Sequence, residues 1–331
     1  MKNLRRIISL VMAFTILMSL CACDVKNDNE QTNPAIPATD TYEYDETLSD
    51  YEDDYIDDTD NENPASMPQN IKPNTSNNKP QSNSQASEPE NLTPEEGREI
   101  VRVTIPEGYT LTQIFKKLEA NGVCSFNELM NTAQSYDYSY YPLIAQRPNR
   151  TYAFKLEGYL FPSTYEFYKD EKPQDAIGRF LRKGKTIFDS SDEAKARALG
   201  FSIHDILTVA SIIEKEGSNS AQVRKIAGVI YNRLEKGMKL QMDSGIVYIE
   251  KRVKPFISGD INRYNSLYNM DKCAGLPNGP ICNPGLTTIN AALNPDRSGG
   301  YLFFCHDSNA NYYYAATYEE HLANLEKAGL A

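Results

Sequence analysis

The stretch ASIIEKEG, residues 210–217, sets two glutamates two positions apart at the end of an apolar run, just before a glycine. On a helix, side chains two residues apart point about 200° apart. Glu214 and Glu216 therefore cannot form the side-by-side carboxyl pair that glycoside hydrolysis uses. The apolar face reads Ile206, Val209, Ala210 and Ile213, and the two glutamates flank it on opposite sides. Glu216 is the better candidate for chemistry. Val209 and Ile212 lie on its side of the helix, and it occupies the last turn, at the negative end of the macrodipole. Both surroundings disfavour a carboxylate and raise its pKa. A raised pKa suits a general acid working near neutrality. The plain alternative for either glutamate is a solvated charge at a helix end.

Positioning such a residue requires a helix, and its signals are present. Ser202 and Asp205 form a capping-box-like start, and Gly217 is a suitable stop. A second helix, AQVRKIAGVIYNRLEK, follows, with Asn219 or Ser220 as its cap and Gly237 as its end, so the two make a helical hairpin. Upstream, EIVRVTIPEG alternates as a strand does. Thr110 caps LTQIFKKLEANG, and SFNELMNTAQ is a second short helix. This strand-then-helices unit resembles a LysM-like carbohydrate-binding module. LEGYLFPSTYEF, broken by Pro162, reads as an aromatic turn with a carboxylate, Glu157, at its start, and QDAIGRFLRKGKTIF as a helix. After Gly237 an extended segment leads into a short helix or strand, then a Gly-, Pro- and Asn-rich stretch runs to Gly285, too long for an ordinary loop. LTTINAALNP as a helix, YLFFCHD as a strand and YEEHLANLEKAG as a final helix complete an α+β reading.

Charge divides the chain. Residues 1–97 hold 6 basic and 19 acidic side chains, and residues 98–331 hold 28 and 26. A nearly neutral folded part argues against nucleic acid as a partner. MKNLRRIISLVMAFTILMSLCAC has a basic start, a short apolar run and small residues, the order of a secretory signal. Its LCAC end resembles a bacterial lipobox, which makes Cys23 the lipidated N-terminus; an uncleaved single-pass anchor is the alternative. Residues 24–97, acidic and then rich in Asn, Pro, Ser and Gln, read as a disordered tether. Cys124, Cys273, Cys282 and Cys305 are too sparse for a disulfide-built scaffold, although Cys273 and Cys282 are close enough in sequence to bridge a loop. His204, His306 and His321 have no metal-ligand spacing, so neither a metal nor another cofactor is expected.

ASIIEKEG, VIYNRLEKGMKLQMDSGIVY (229–248), YNSLYNMDKCAGLPNGPICNPG (264–285), AALNP and YLFF occur in that order. Together with LEGYLFPSTYEF and the IPEG unit they resemble the YceG-like family, the endolytic murein transglycosylases. The resemblance covers residues 99–325. It implies cleavage of the MurNAc–GlcNAc bond of peptidoglycan strands without water, leaving a 1,6-anhydro end. One glutamate does the acid and base work, and that position falls on Glu216. Glu157, Gln241, Asp243, Tyr264 and Asn265 match further motif positions and by resemblance line the glycan groove. The expected organisation is a signal with lipobox (1–23), an acidic linker (24–97), a LysM-like glycan-binding unit (98–150) and a mixed α/β catalytic domain containing the hairpin (151–331). The implied partners are peptidoglycan glycan strands, the outer face of a cell membrane through the N-terminal anchor, and the cell-wall synthesis machinery.

The chain departs from the family in four places. Its start reads as a lipoprotein signal rather than a membrane helix. The upstream region is shorter. Asp243-Ser244-Gly245 stands where Asp-Pro-Thr is usual, and a usual histidine falls on Tyr312. With 22 tyrosines and no tryptophan, sugar stacking must use Tyr or Phe. Two other function classes remain as alternatives: a non-catalytic peptidoglycan-binding envelope protein, and a muramidase-type hydrolase with Glu157 or Asp243 as second carboxylate. The N-terminal reading has a direct check. The mass of the membrane-extracted N-terminal peptide should correspond to an acylated Cys23, and a peptide beginning at Met1 would refute it.

Overall fold

The computed structural model describes residues 97–217, 221–257 and 260–331. The signal, Cys23 and the linker to residue 96 lie outside the described residues. Within them the chain is mixed α/β, with two small two-stranded sheets among helices.

Strand β1 (Ile100–Ile105) buries Val103 and Ile105 and turns Arg102 and Thr104 outward, as its alternation requires. It is followed by α1 (Leu111–Ala120), whose N-cap is Thr110, then α2 (Phe126–Ser135) and a single turn, α3 (Pro142–Ala145). The partner of β1 is β2 (Ser163–Tyr168), antiparallel, with Val103 opposite Tyr165. The strand that closes the first unit thus lies past residue 150, in the second half of LEGYLFPSTYEF. Two cross-strand pairs fix this register: Arg102 Nη2 to Glu166 Oε1 at 3.0 Å, and Thr104 Oγ1 to Thr164 Oγ1 at 2.9 Å.

Next come α4 (Pro173–Gly184) and α5 (Ser190–Leu199), the latter not anticipated from the sequence. The hairpin follows as α6 (Ile203–Glu216) and α7 (Val223–Glu235). At the start of α6, Ser202 Oγ accepts from Asp205 N, and Asp205 Oδ2 accepts from Ser202 N at 3.0 Å. At its end Gly217 is extended (φ −107°, ψ 103°) rather than left-handed, and its N–H closes the last turn on Ile213 O at 2.8 Å. Helix α7 is preceded by Gln222, while Asn219 and Ser220, the expected caps, lie outside the described residues. From Ile206 to Ile213 every residue of α6 is buried.

The long Gly- and Pro-rich stretch is partly helical. It holds α8 (Ser244–Tyr248), which continues into a π-helical turn (Ile249–Val253), and α9 (Asn262–Tyr268). Helix α10 (Leu286–Leu293) packs on α6 and α7. A hairpin of β3 (Phe303–His306) and β4 (Tyr312–Ala315) and a last helix, α11 (Tyr318–Lys327), complete the fold. A single apolar cluster runs from Val103 to Leu293 and joins the first unit to the hairpin. The four described cysteines are free thiols, Cys273 and Cys282 included. No single helix among the described residues is long and apolar enough to cross a membrane.

The chain after α10 crosses α7 closely at Gly228. A Cβ there would lie 2.0 Å from Asp296 O, a backbone atom held by its own Asp296 N to Arg224 O bond of 2.8 Å. The helix-propensity gain of Gly228→Ala, about 1 kcal/mol, cannot offset that clash. The variant should lose on the order of 1–3 kcal/mol, seen as a lower midpoint in thermal unfolding.

Candidate active site

Helix α6 has apolar neighbours on every side, so its two terminal glutamates must find separate outlets, and they do. Glu214 turns towards the N-terminus of α10. Its Oε2 accepts from Gly285 N at 3.1 Å and from Thr288 Oγ1 at 2.6 Å. There it meets the unsatisfied N–H groups and positive end of a helix, a stable place for a carboxylate. Glu107 shares that helix end through the Leu286 amide, and burial together with the Glu214 charge pushes its pKa up. Glu214 is thus bound into the framework.

Glu216 turns the other way, into a cavity of about 370 Å³ between the end of α6, the segment leading into α8, and the β3 strand. The residue as a whole is half-buried, and its carboxyl is the enclosed part. Val209 and Ile212, the apolar neighbours expected on its side, are fully buried. Burial raises the Glu216 pKa above the usual carboxylate range, and the charge of Asp243 adds to the rise. The hydroxyl and amide of Ser244 and the charge of His306 oppose it without cancelling it. The Glu216 backbone carbonyl accepts from Tyr312 Oη at 3.4 Å, so Tyr312 contacts this glutamate through its main chain. His306 pairs with Tyr312 across the hairpin and also lines the cavity.

Gln241 and Asp243 line the same cavity. Gln241 adopts a left-handed conformation (φ 51°), which a non-glycine residue holds only when its surroundings impose it. The imposing groups are visible. Gln241 N donates to Met270 O at 3.2 Å, and the buried Arg233 donates through Nη1 to Leu240 O at 2.7 Å and through Nε to Leu302 O at 2.5 Å. Arg233 thereby ties the 239–241 segment to the start of the β3 hairpin. Asp243 is exposed, yet partial burial of its carboxyl and the charge of Asp271 raise its pKa. Arg233, His306 and His321, not among the residues expected from the sequence, also line the cavity. His306 lies on the strand in YLFFCHD, and only the pairing of that strand with YYYA shows where it lies; Arg233 and His321 come from helices whose sequence gives no sign of the cavity.

The remaining expected groove residues lie elsewhere. Tyr264, 2 % exposed, borders a separate cleft of about 390 Å³ with Tyr152, Phe256 and Arg263. Asn265, its neighbour on α9, is half-buried and lines neither cavity. Glu157 is 2 % exposed and sealed in the core, where its apposition to Gly158 and aromatic residues had suggested a groove rim. Its Oε1 accepts from Leu111 N at 2.9 Å and Asn283 Nδ2 at 3.0 Å, and its Oε2 from Tyr248 Oη at 3.3 Å. Glu157 is a core connector in this structure. Among the described residues no group of three or more His, Cys, Asp or Glu side chains is placed to hold a metal ion.

Burial pushes the Glu157 pKa from 4.5 to about 8, outweighing the Leu111, Tyr248 and Gly158 donors and the charge of Lys215. Between those values the folded protein holds a proton that the unfolded chain releases. Stability is therefore highest at low pH as far as this group is concerned, and falls as pH rises from 4.5 to about 8. Glu157→Gln is neutral throughout, and the Tyr248 hydroxyl can turn to accept from the new amide. Denaturant titrations from pH 5 to 8 should show that decline flattened in the variant.

Residues 70–327 match the YceG-like family. An endolytic murein transglycosylase of Bacillus subtilis is 36% identical over 179 residues, covering 54% of this chain and 49% of that protein. One of Streptococcus pneumoniae is 31% identical over 247 residues, covering 68% of this chain and 44% of that protein. The chain thus spans about half the length of these relatives. The 2.6 Å crystal structure of a YceG-like protein from Listeria monocytogenes superposes with a TM-score of 0.58 at 31% identity, over 67% of this chain and 75% of that one. The match to the family spans most of the sequence and includes both arms of the helical hairpin and every residue of the Glu216 cavity but Leu330, so this chain belongs to the YceG-like family.

Proposed function

We propose that the protein is an endolytic murein transglycosylase that cuts the MurNAc–GlcNAc bond of peptidoglycan glycan strands. The observation that carries this reading is one carboxyl, Glu216, held with a raised pKa in a cavity at the end of a buried helix. The relatives from B. subtilis and S. pneumoniae are endolytic murein transglycosylases, which supports it. A protonated Glu216 gives its proton to the leaving glycosidic oxygen as the bond to the anomeric carbon breaks. The resulting carboxylate then takes the proton of the C6 hydroxyl as that oxygen closes on the anomeric carbon. The proton returns to Glu216, no water is consumed, and a 1,6-anhydro end results. The negative charge of Asp243 serves both stages, since it holds the proton on Glu216 and faces a transition state with oxocarbenium character.

The first unit, β1-α1-α2 closed by β2, has the order of a LysM-like module, and in this reading it grips the strand outside the cavity. The lipobox at Cys23 and the acidic linker would hold the folded part on the outer face of the cell membrane, within reach of new glycan and of the machinery that makes it. A second reading, hydrolysis, draws on one specific observation: Asp243 also lines the cavity and is the group there that could activate a water.

Digestion of uncrosslinked glycan strands followed by mass spectrometry separates the readings. Anhydro ends support transglycosylation. Reducing ends, heavier by one water, support hydrolysis, and intact strands with wild-type protein support a non-catalytic binder. Glu216→Gln keeps the shape and should lower the cleavage rate by roughly 10²–10⁴-fold while glycan binding persists. Full activity in that variant would remove Glu216 from the chemistry.

A further inference from the structure

Beside the Glu216 carboxyl lies a hydroxyl whose own bonding is incomplete. Ser244 Oγ is buried and closes no hydrogen bond of normal geometry, although it lies near enough to the Glu216 carboxyl to favour its ionised form. A buried hydroxyl without a partner costs about 1–3 kcal/mol, and such groups are few in a native fold. The hydroxyl is not stranded at random. It stands next to the Glu216 carboxyl, as does the Ser244 amide, and both favour the ionised form of that glutamate.

The next residue explains why the hydroxyl is carried here. A Cβ at Gly245 would lie 2.2 Å from Tyr268 O and 3.2 Å from Met270 Cε. No side chain fits at 245, so the hydroxyl that α8 brings to the Glu216 carboxyl can come from position 244 and not from 245. Other charged or titratable groups also face the cavity: Asp243 on the same segment, Arg233 from α7, Cys305 and His306 from β3, and His321 from α11. Of these, Asp243 pushes the Glu216 pKa up and His306 pulls it down.

We propose that Ser244 is a positioning residue for Glu216, its free hydroxyl turning onto the carboxylate once the glutamate has given up its proton. The hydroxyl can then donate to the ionised oxygen without breaking another bond, and it turns away when the proton returns. It thus holds the carboxylate in one rotamer through the half of the cycle in which Glu216 is ionised. The role of this hydroxyl in turnover rests on the transglycosylase reading; its grip on the carboxylate does not.

Two readouts keep those apart. The first is a ¹³C NMR titration of the Glu216 carboxyl in the folded protein, which needs no substrate. Ser244→Ala removes the donor, and Ser244→Cys keeps the shape with a weakly bonding thiol. Both should move the Glu216 midpoint to higher pH, the alanine variant further. The second is cleavage of glycan strands, where kcat should fall about tenfold with KM unchanged and the alkaline limb of the pH profile should move up with the midpoint. An unmoved midpoint in both variants overturns the proposal. A shifted midpoint in a protein that cuts no glycan upholds the hydroxyl's contact with Glu216 and rejects the reaction.

Discussion

A helix buried on all sides still has to end, and its end is polar. From Ile206 to Ile213, α6 offers no face to water, so the carbonyls and glutamates of its last turn arrive inside the protein. Two arrangements satisfy them. Glu214 is absorbed by the positive end of α10, where Gly285 N and Thr288 Oγ1 bind it. Glu216 has no helix end to neutralise it and opens into a cavity that also holds Asp243. The difference in environment, rather than any difference in residue type, ties one carboxyl into the framework and raises the pKa of the other.

One wall of the cavity, Leu240 to Asp243, has no regular structure, and its precision rests on a few polar ties. Arg233 reaches from α7 to backbone oxygens on both sides of the cavity, at Leu240 and Leu302. Gln241 keeps a left-handed backbone under those constraints. Tyr312 holds the last carbonyl of α6 from the β4 side. Arg233 joins that segment's main chain to a rigid helix, and Tyr312 joins the end of α6 to a strand, so the irregular wall is held against regular ones.

Periodic elements were legible in the sequence. The hairpin helices, β1, α1 and the Ser202–Asp205 cap followed from spacing and capping chemistry, and the opposed directions of Glu214 and Glu216 followed from helical geometry alone. The strand in LEGYLFPSTYEF was hidden because its partner, β1, lies some sixty residues earlier, and YYYA because an unbroken aromatic run shows no alternation. Helices α8 and α9 are five and seven residues long, too short for a period to register. Glu157 misled for a different reason. A glutamate among aromatics and glycines looks the same in one dimension whether it faces a groove or is sealed inside, and only the convergence of Leu111, Tyr248 and Asn283 on it distinguishes the two.

Asn283 has a consequence for the order in which the chain can fold. Its side chain takes the Leu160 amide on Oδ1 at 2.8 Å and gives to Tyr109 O and Glu157 Oε1 through Nδ2, while its main chain pairs with Gly108 and Tyr109. The first unit therefore has its amides and its buried glutamate completed by a residue more than a hundred positions downstream. During synthesis β1, α1 and β2 emerge long before that residue does, and the Glu157 pocket stays open in the interval. Closing so long a loop is entropically costly and slow. The first unit matures last in its own interior, and a chain stopped short of Asn283 would leave that interior exposed to proteases and to other chains.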